Sequence, residues 1–152
     1  MPFAIKATLK AIESHLAKSG YDQKVQIGEY KAPPPGQAFA AAIYIRSTRV
    51  LRLFANGGTQ ELHVAAIRLY RDMLQEPQED GETVLAVAAE QMMQNIAQDA
   101  DLGATIMTVD VGGISGTPMG SDWGYADIGG KMFRIVDITV PLLVNDSMTV
   151  AP

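Results

Sequence analysis

Asn56-Gly57 sits between two long extended runs, at about residues 39–54 and 59–71, and constrains the fold more than any other feature. Both residues tolerate positive φ, as the tight turn of a hairpin requires, so the two runs are expected to pair antiparallel. Arg46, Ser47, Thr48 and Arg49 interrupt the first run, as a bulge or an exposed edge would. The second run fails to alternate. One of its faces carries Leu62, Val64, Ala66, Arg68 and Tyr70, the other His63, Ala65, Ile67, Leu69 and Arg71. A sheet with one wet face alternates cleanly between apolar and polar residues. Here both faces are substantially apolar, and both call for a cover.

The remaining pattern supplies helices and further strands. Residues 3–18 read as an amphipathic helix, with Ile5, Leu9, Ile12 and Leu16 on one face and Ser19-Gly20 as its stop. Val25 and Ile27 alternate in a short strand, and Ala32-Pro33-Pro34-Pro35-Gly36 reads as an extended connector. Pro77 suits the first turn of a helical region, with Glu76, Glu79, Asp80 and Glu82 near its N-terminal dipole. Gly81 places the regular helix at 82–99, burying Leu85, Ala88, Met92 and Ile96. Strands are expected at about 102–112 and 131–144, with a short one at 123–128 turned back by Gly129-Gly130. The order α-β-β-β-α-β-β(-β) gives an α+β fold: a mostly antiparallel β-sheet with two helices packed on one face, in a single domain spanning 1–152. Two helices can cover one face of such a sheet but hardly both. Either loops or another subunit cover the second face, and the subunit is favoured.

At 152 residues the chain can bury a hydrophobic core of its own. It has no cysteine, which excludes disulfides and thiolate chemistry. Its N-terminus lacks the basic and apolar regions of a secretory signal. Its longest uncharged apolar run, Ala38 to Ile45, is far below the roughly 20 residues a bilayer requires, so the expectation is a soluble protein without a membrane partner. Net charge is −5, unevenly placed: residues 1–75 hold ten Lys/Arg and five Asp/Glu, residues 76–152 two and twelve. This asymmetry is either a matter of solvated faces or the mark of an oligomer in which basic surface on one subunit meets acidic surface on the next. It does not suggest a broad nucleic-acid footprint.

No motif in the chain carries an obvious chemistry. Gly112-Gly113-Ile114-Ser115-Gly116-Thr117-Pro118-Met119-Gly120 lacks the strand-to-helix context and the Gly-Lys-Ser/Thr of a phosphate cradle, and reads as a loop that orders on assembly. His15 and His63 are the only histidines, and neither has a partner at metal-ligand spacing. The acids from Glu76 to Glu82 lack the pattern of a calcium loop. No catalytic residue, cofactor or metal is expected. Arg46, Arg49, Arg52, Arg68 and Arg71 lie on the paired strands, where they serve phosphate contacts, ion pairs between subunits, or a solvated edge. Tyr44, Phe54 and Tyr70 read as core, and Trp123 as core or as an interface anchor. The candidate interface set is Arg46, Arg49, Arg68, Arg71, Glu76 and Trp123. Reversing Arg68 or Arg71 to Glu is expected to impair assembly more than folding.

Arg68-Leu-Tyr-Arg-Asp-Met-Leu-Gln-Glu-Pro-Gln78, with Gly130-Lys-Met-Phe-Arg-Ile-Val-Asp-Ile-Thr-Val-Pro-Leu-Leu-Val-Asn-Asp146, resembles the tail terminator proteins of long-tailed, non-contractile bacteriophages, especially those infecting actinobacteria. Leu102-Gly103 and Thr108-Val109-Asp110 support the likeness. The resemblance implies a protomer of a ring, typically six-fold, on the completed tail tube. Such a ring stops polymerisation of the tail tube protein and presents a surface to the head-tail connector or neck protein. It also implies that DNA passes through without specific binding, and a place at the head-proximal end of the virion tail after assembly in the host cytoplasm. A neck or head-completion protein is the alternative in the same class. A small enzyme or ligand-binding α+β domain is the alternative from another class.

Overall fold

The computed structural model describes residues 4–16, 25–30, 39–72 and 78–150, apart from the side chains of 39, 78–80 and 146–149. Among the described residues, two helices, α1 (Ile5–Leu16) and α2 (Gln78–Gln98), accompany six strands. The strands are β1 (Val25–Ile27), β2 (Phe39–Leu53), β3 (Gly58–Asp72), β4 (Thr108–Val109), β5 (Gly120–Ile128) and β6 (Lys131–Thr149). They form one sheet in the order β1-β2-β3-β6, beyond which β4 and β5 share the far side of β6. All pairs are antiparallel except β1 with β2.

The hairpin forms where Asn56-Gly57 predicts it. Gly57 has φ 86°, and the Asn56 side chain accepts a hydrogen bond from the Gly58 N–H at 2.9 Å. The expected interruption is a pair of bulges: the register of β2 against β3 slips between Ile45 and Ser47 and again between Val50 and Arg52. Each slip leaves one residue over, Arg46 and then Leu51, which bends the strand and sharpens its twist.

Both helices pack on the same face of the sheet. Leu9, Ile12 and Leu16 of α1 and Leu85, Ala88, Ala89, Met92 and Ile96 of α2 share a core with Ala41, Ile43, Ala65, Ile67, Leu69 and the even positions 136–144 of β6. Each fully buried aliphatic chain in this layer contributes about 1.5–3 kcal/mol. Ile5, expected on the buried stripe, is exposed. His15 at the end of α1 meets Asp99, just past α2, at 2.9 Å and ties the two helix ends together.

The second face carries a smaller core: Ala40, Ala42, Tyr70, Ile128, Phe133 and Ile135, with Tyr30 and Tyr44 packed against it. Tyr70 stands edge-on to both Tyr30 and Phe133, at 5.4 and 5.9 Å between ring centroids. Burial pushes its phenol up to about 12. Leu62 and Val64, on the same face by register, are buried too. The chain therefore supplies much of the cover that the sequence pattern assigned to another subunit, with Tyr30 over one end of the face and the Gly-rich segment at the other.

Four elements differ in their bounds from the expectation. Helix α2 begins at Gln78, because Gly81 lies inside the helix with Arg71 packed against it. The strand expected over 102–112 shrinks to Thr108–Val109. Leu102, Gly103 and Ala104 all have positive φ, incompatible with an extended ladder, and the turn is closed by Leu102 N–H to Asp99 O and Thr105 N–H to Asp101 O. Strands β5 and β6 are both longer than predicted. The Ser19-Gly20 stop, the Ala32–Gly36 connector and the Glu76-Pro77 junction lie outside the described residues.

Candidate assembly interface

Strand β2 supplies one outer edge of the sheet. Strand β1 covers only Ala41–Ile43 of it, and among the described residues no strand pairs with the outer side of β2 beyond that point. The open stretch carries Arg46, Arg49 and Arg52, all exposed, and no acid occurs anywhere in β2. The register puts Arg49 and Arg52 on the face away from the helices, since they pair with Leu62 and Gln60 of β3. Arg46 reaches the same face, 3.7 Å from Asp137. Thr48, Val50 and Leu53 fall on the helix face, and Val50 and Leu53 are more than half exposed.

Strand β5 supplies the opposite edge. It pairs with β6 alone among the described residues. It carries Asp122 and Asp127 and no base. Asp122 lies on the face away from the helices, opposite Asp137 of β6. Trp123 and Tyr125 lie on the helix face, 37% and 62% exposed. Between them stands Arg134, its guanidinium carbon 5.1 Å from the Trp123 ring centroid and 4.7 Å from that of Tyr125. The same guanidinium donates twice to Glu82 of α2, at 3.2 and 3.0 Å, and once to the Gly124 carbonyl at 3.1 Å. Hydrogen bonding to Glu82 raises the Arg134 pKa, and the reciprocal bond lowers that of Glu82. The arginine thus fixes both aromatic rings as a rigid ledge beside the start of α2.

The sequence-predicted residues divide accordingly. Arg46 and Arg49 stand exposed on the β2 edge, and Trp123 stands on the β5 edge. Arg68 and Arg71 are engaged inside the chain. Arg68 grips Asp137 with two hydrogen bonds, 2.7 and 3.0 Å, which raises its pKa. Arg71 is buried against Gly81 of α2. Reversal of either charge therefore strikes the fold directly, and the expectation that assembly suffers more than folding is revised. Glu76 lies outside the described residues.

Asp122, Tyr125 and Arg134 were missed because a strand of alternating small and polar residues, Gly120 to Ile128, has no face until its partner strand is known. The Arg-plus-aromatic composition around 123–134 was the available signal.

The Gly-rich segment bridges β4 and β5 and folds on itself in the single chain. Burial would push the Asp110 carboxyl up, but the Ser115 hydroxyl and the backbone N–H groups of Ser115, Ile114 and Gly113 hold it below its ordinary value. The Ile114 and Ser115 N–H groups donate to it at 3.0 and 2.8 Å. Thr117 accepts from Arg49 at 3.1 Å, docking the loop near the β2 edge. The loop is thus held by its own hydrogen bonds, where the sequence suggested ordering on assembly. Ile114 projects from it 98% exposed. Among the described residues no group of three or more metal-ligating side chains gathers, and no helix is long and apolar enough to cross a membrane.

No protein-family model matches the chain, and no curated protein does. Among solved structures it is similar to the sheath/tube terminator of an extracellular contractile injection system, PVC, in its extended state. That match has 12% identity and a TM-score of 0.43 over the whole of this chain, which spans 61% of the length of the matched one.

Proposed function

We propose that this protein is a structural subunit of a tail-like assembly, forming a ring that caps the tail tube, ends its polymerisation and offers a surface for joining to the head-side connector. The observation that carries the self-assembly part is a sheet that, among the described residues, is open along two edges of opposite charge. Natural sheets protect exposed edges or use them for pairing. These edges carry solvent-facing Val50, Leu53, Trp123 and Tyr125 beside charges of complementary sign. The terminator part rests on the resemblance through Arg68–Gln78 and Gly130–Asp146. Arg68 and Asp137, one from each segment, are bonded to each other in the fold. The role assigned to the protein is mechanical and not catalytic. The resemblance further implies that DNA passes through the ring without specific binding.

Two measurements test this reading. Light scattering with negative-stain imaging should find rings, alone or on isolated tubes. Deleting the gene should give overlong tubes. Tails of normal length beside unjoined heads would instead assign the protein to the neck, and normal infectious particles would end the proposal.

A further inference from the structure

We infer that the ring closes by sheet continuation, with the β5 edge of one copy pairing antiparallel to the Ser47–Leu53 edge of β2 in the next. This rests on the ring reading above and names the surfaces that make it.

Three observations converge. The first is direction. Strands β2, β3, β6 and β5 alternate in sense across the sheet, so β5 runs opposite to β2. A second copy rotated about an axis along the strands therefore brings β5 beside β2 in antiparallel sense, which direct strand addition can use. The contact is head-to-tail, the kind that closes rings.

The second is the match of faces. On the helix face β2 offers exposed Val50 and Leu53, and β5 offers exposed Trp123 and Tyr125. On the other face β2 offers Arg46, Arg49 and Arg52, and β5 offers Asp122. Apolar meets aromatic on one side of the joint and base meets acid on the other. Two copies joined β2 to β2 would instead set arginine rows against each other, and like charges directly opposite are unfavourable.

The third is preparation. Arg134 already holds Trp123 and Tyr125 in place through both rings and Glu82, so little side-chain freedom is lost on docking. The two edges lie at different heights: β5 pairs with β6 residues 131–139, while the open part of β2 lies across β3 from β6 residues beyond 139. Joining them needs strands tilted to the ring axis, as closed sheets have.

Because the native chain has no cysteine, the joint can be read by cross-linking. Val50→Cys and Tyr125→Cys would be prepared separately, checked for unchanged circular dichroism, mixed under assembly conditions and treated with a short bis-maleimide. The expected result is a covalent dimer in the mixture and none with either variant alone. In parallel, Arg49→Glu/Arg52→Glu and Asp122→Arg should each lower the ring population about tenfold, and together restore most of it. A covalent dimer from Val50→Cys alone would show a symmetric edge-to-edge joint and overturn the inference. Rings that form without a mixed covalent dimer would overturn the edge assignment and leave the capping role standing. A chain that is monomeric at all concentrations, on tubes as well as free, would overturn both.

Discussion

Arg68 and Asp137 face each other across β3 and β6, and their pair shows how a charge can serve the fold on a face that looks apolar in sequence. Both side chains are mostly shielded, 23% and 16% exposed. Replacing Arg68 with Ala would leave the carboxylate, among the described residues, with Arg46 alone as an ion-pair partner, 3.7 Å away. Arg68→Ala is expected to destabilise by about 2 kcal/mol, less than a fully buried pair would lose because solvent still reaches both groups. Asp137→Asn should cost less, since the amide still accepts one hydrogen bond; urea unfolding of the two variants checks the order. His63 is a second residue-scale case. Burial lowers its pKa, opposed by the nearby Glu61 charge. A histidine whose folded pKa lies below the unfolded value is protonated more readily in the unfolded chain. Its effect is absent well above pH 6.5, and stability falls as pH drops through that value toward the lower folded pKa. Thermal melts between pH 7.5 and 5.5 should show a loss of Tm that is smaller in His63→Gln.

At the scale of elements, the placement of α2 turns on a single contact. Gly81 reads as a helix breaker ahead of the regular helix, yet it lies buried against the Arg71 guanidinium. A methyl group there would overlap the guanidinium, which is itself almost fully enclosed. Gly81→Ala should therefore lower stability, although alanine alone in a helix would raise it by about 1 kcal/mol. Adding Arg71→Ala should remove the penalty, and a double-mutant cycle by denaturant titration measures the coupling. Other element boundaries follow the same rule. Asn56-Gly57 was legible because its turn is local, and the core stripe of α2 was legible because its period is local. The 102–112 strand was misread because the left-handed backbone at Leu102 and Ala104 leaves no signature in those residue types. The loss of alternation in β3 was legible, but its cover was not. Tyr30 and the Asp110-anchored loop arrive from distant parts of the chain.

For the molecule as a whole, the charge asymmetry between the two halves of the chain becomes spatial: β2 belongs to the basic half, β5 to the acidic half, and the sheet sets them on opposite edges. Assembly through exposed charges should weaken with salt, because the screening length drops from about 10 Å at 0.1 M to about 3 Å at 1 M. Sedimentation across that range is expected to show rings giving way to smaller species, with residual association from the apolar side of the joint. Rings that strengthen monotonically with salt would instead assign the joint to apolar contact alone. The sequence by itself determined the hairpin, the two amphipathic helices, the mostly antiparallel α+β class and the absence of cysteine chemistry, because turn residues and hydrophobic periods act over a few neighbouring residues. Only the tertiary structure decided which arginines are committed to the fold and which stand at an edge. That choice depends on register: Arg68 finds Asp137 sixty-nine residues away, while Arg49 and Arg52, of the same residue type two strands' breadth from it, find the rim of the sheet.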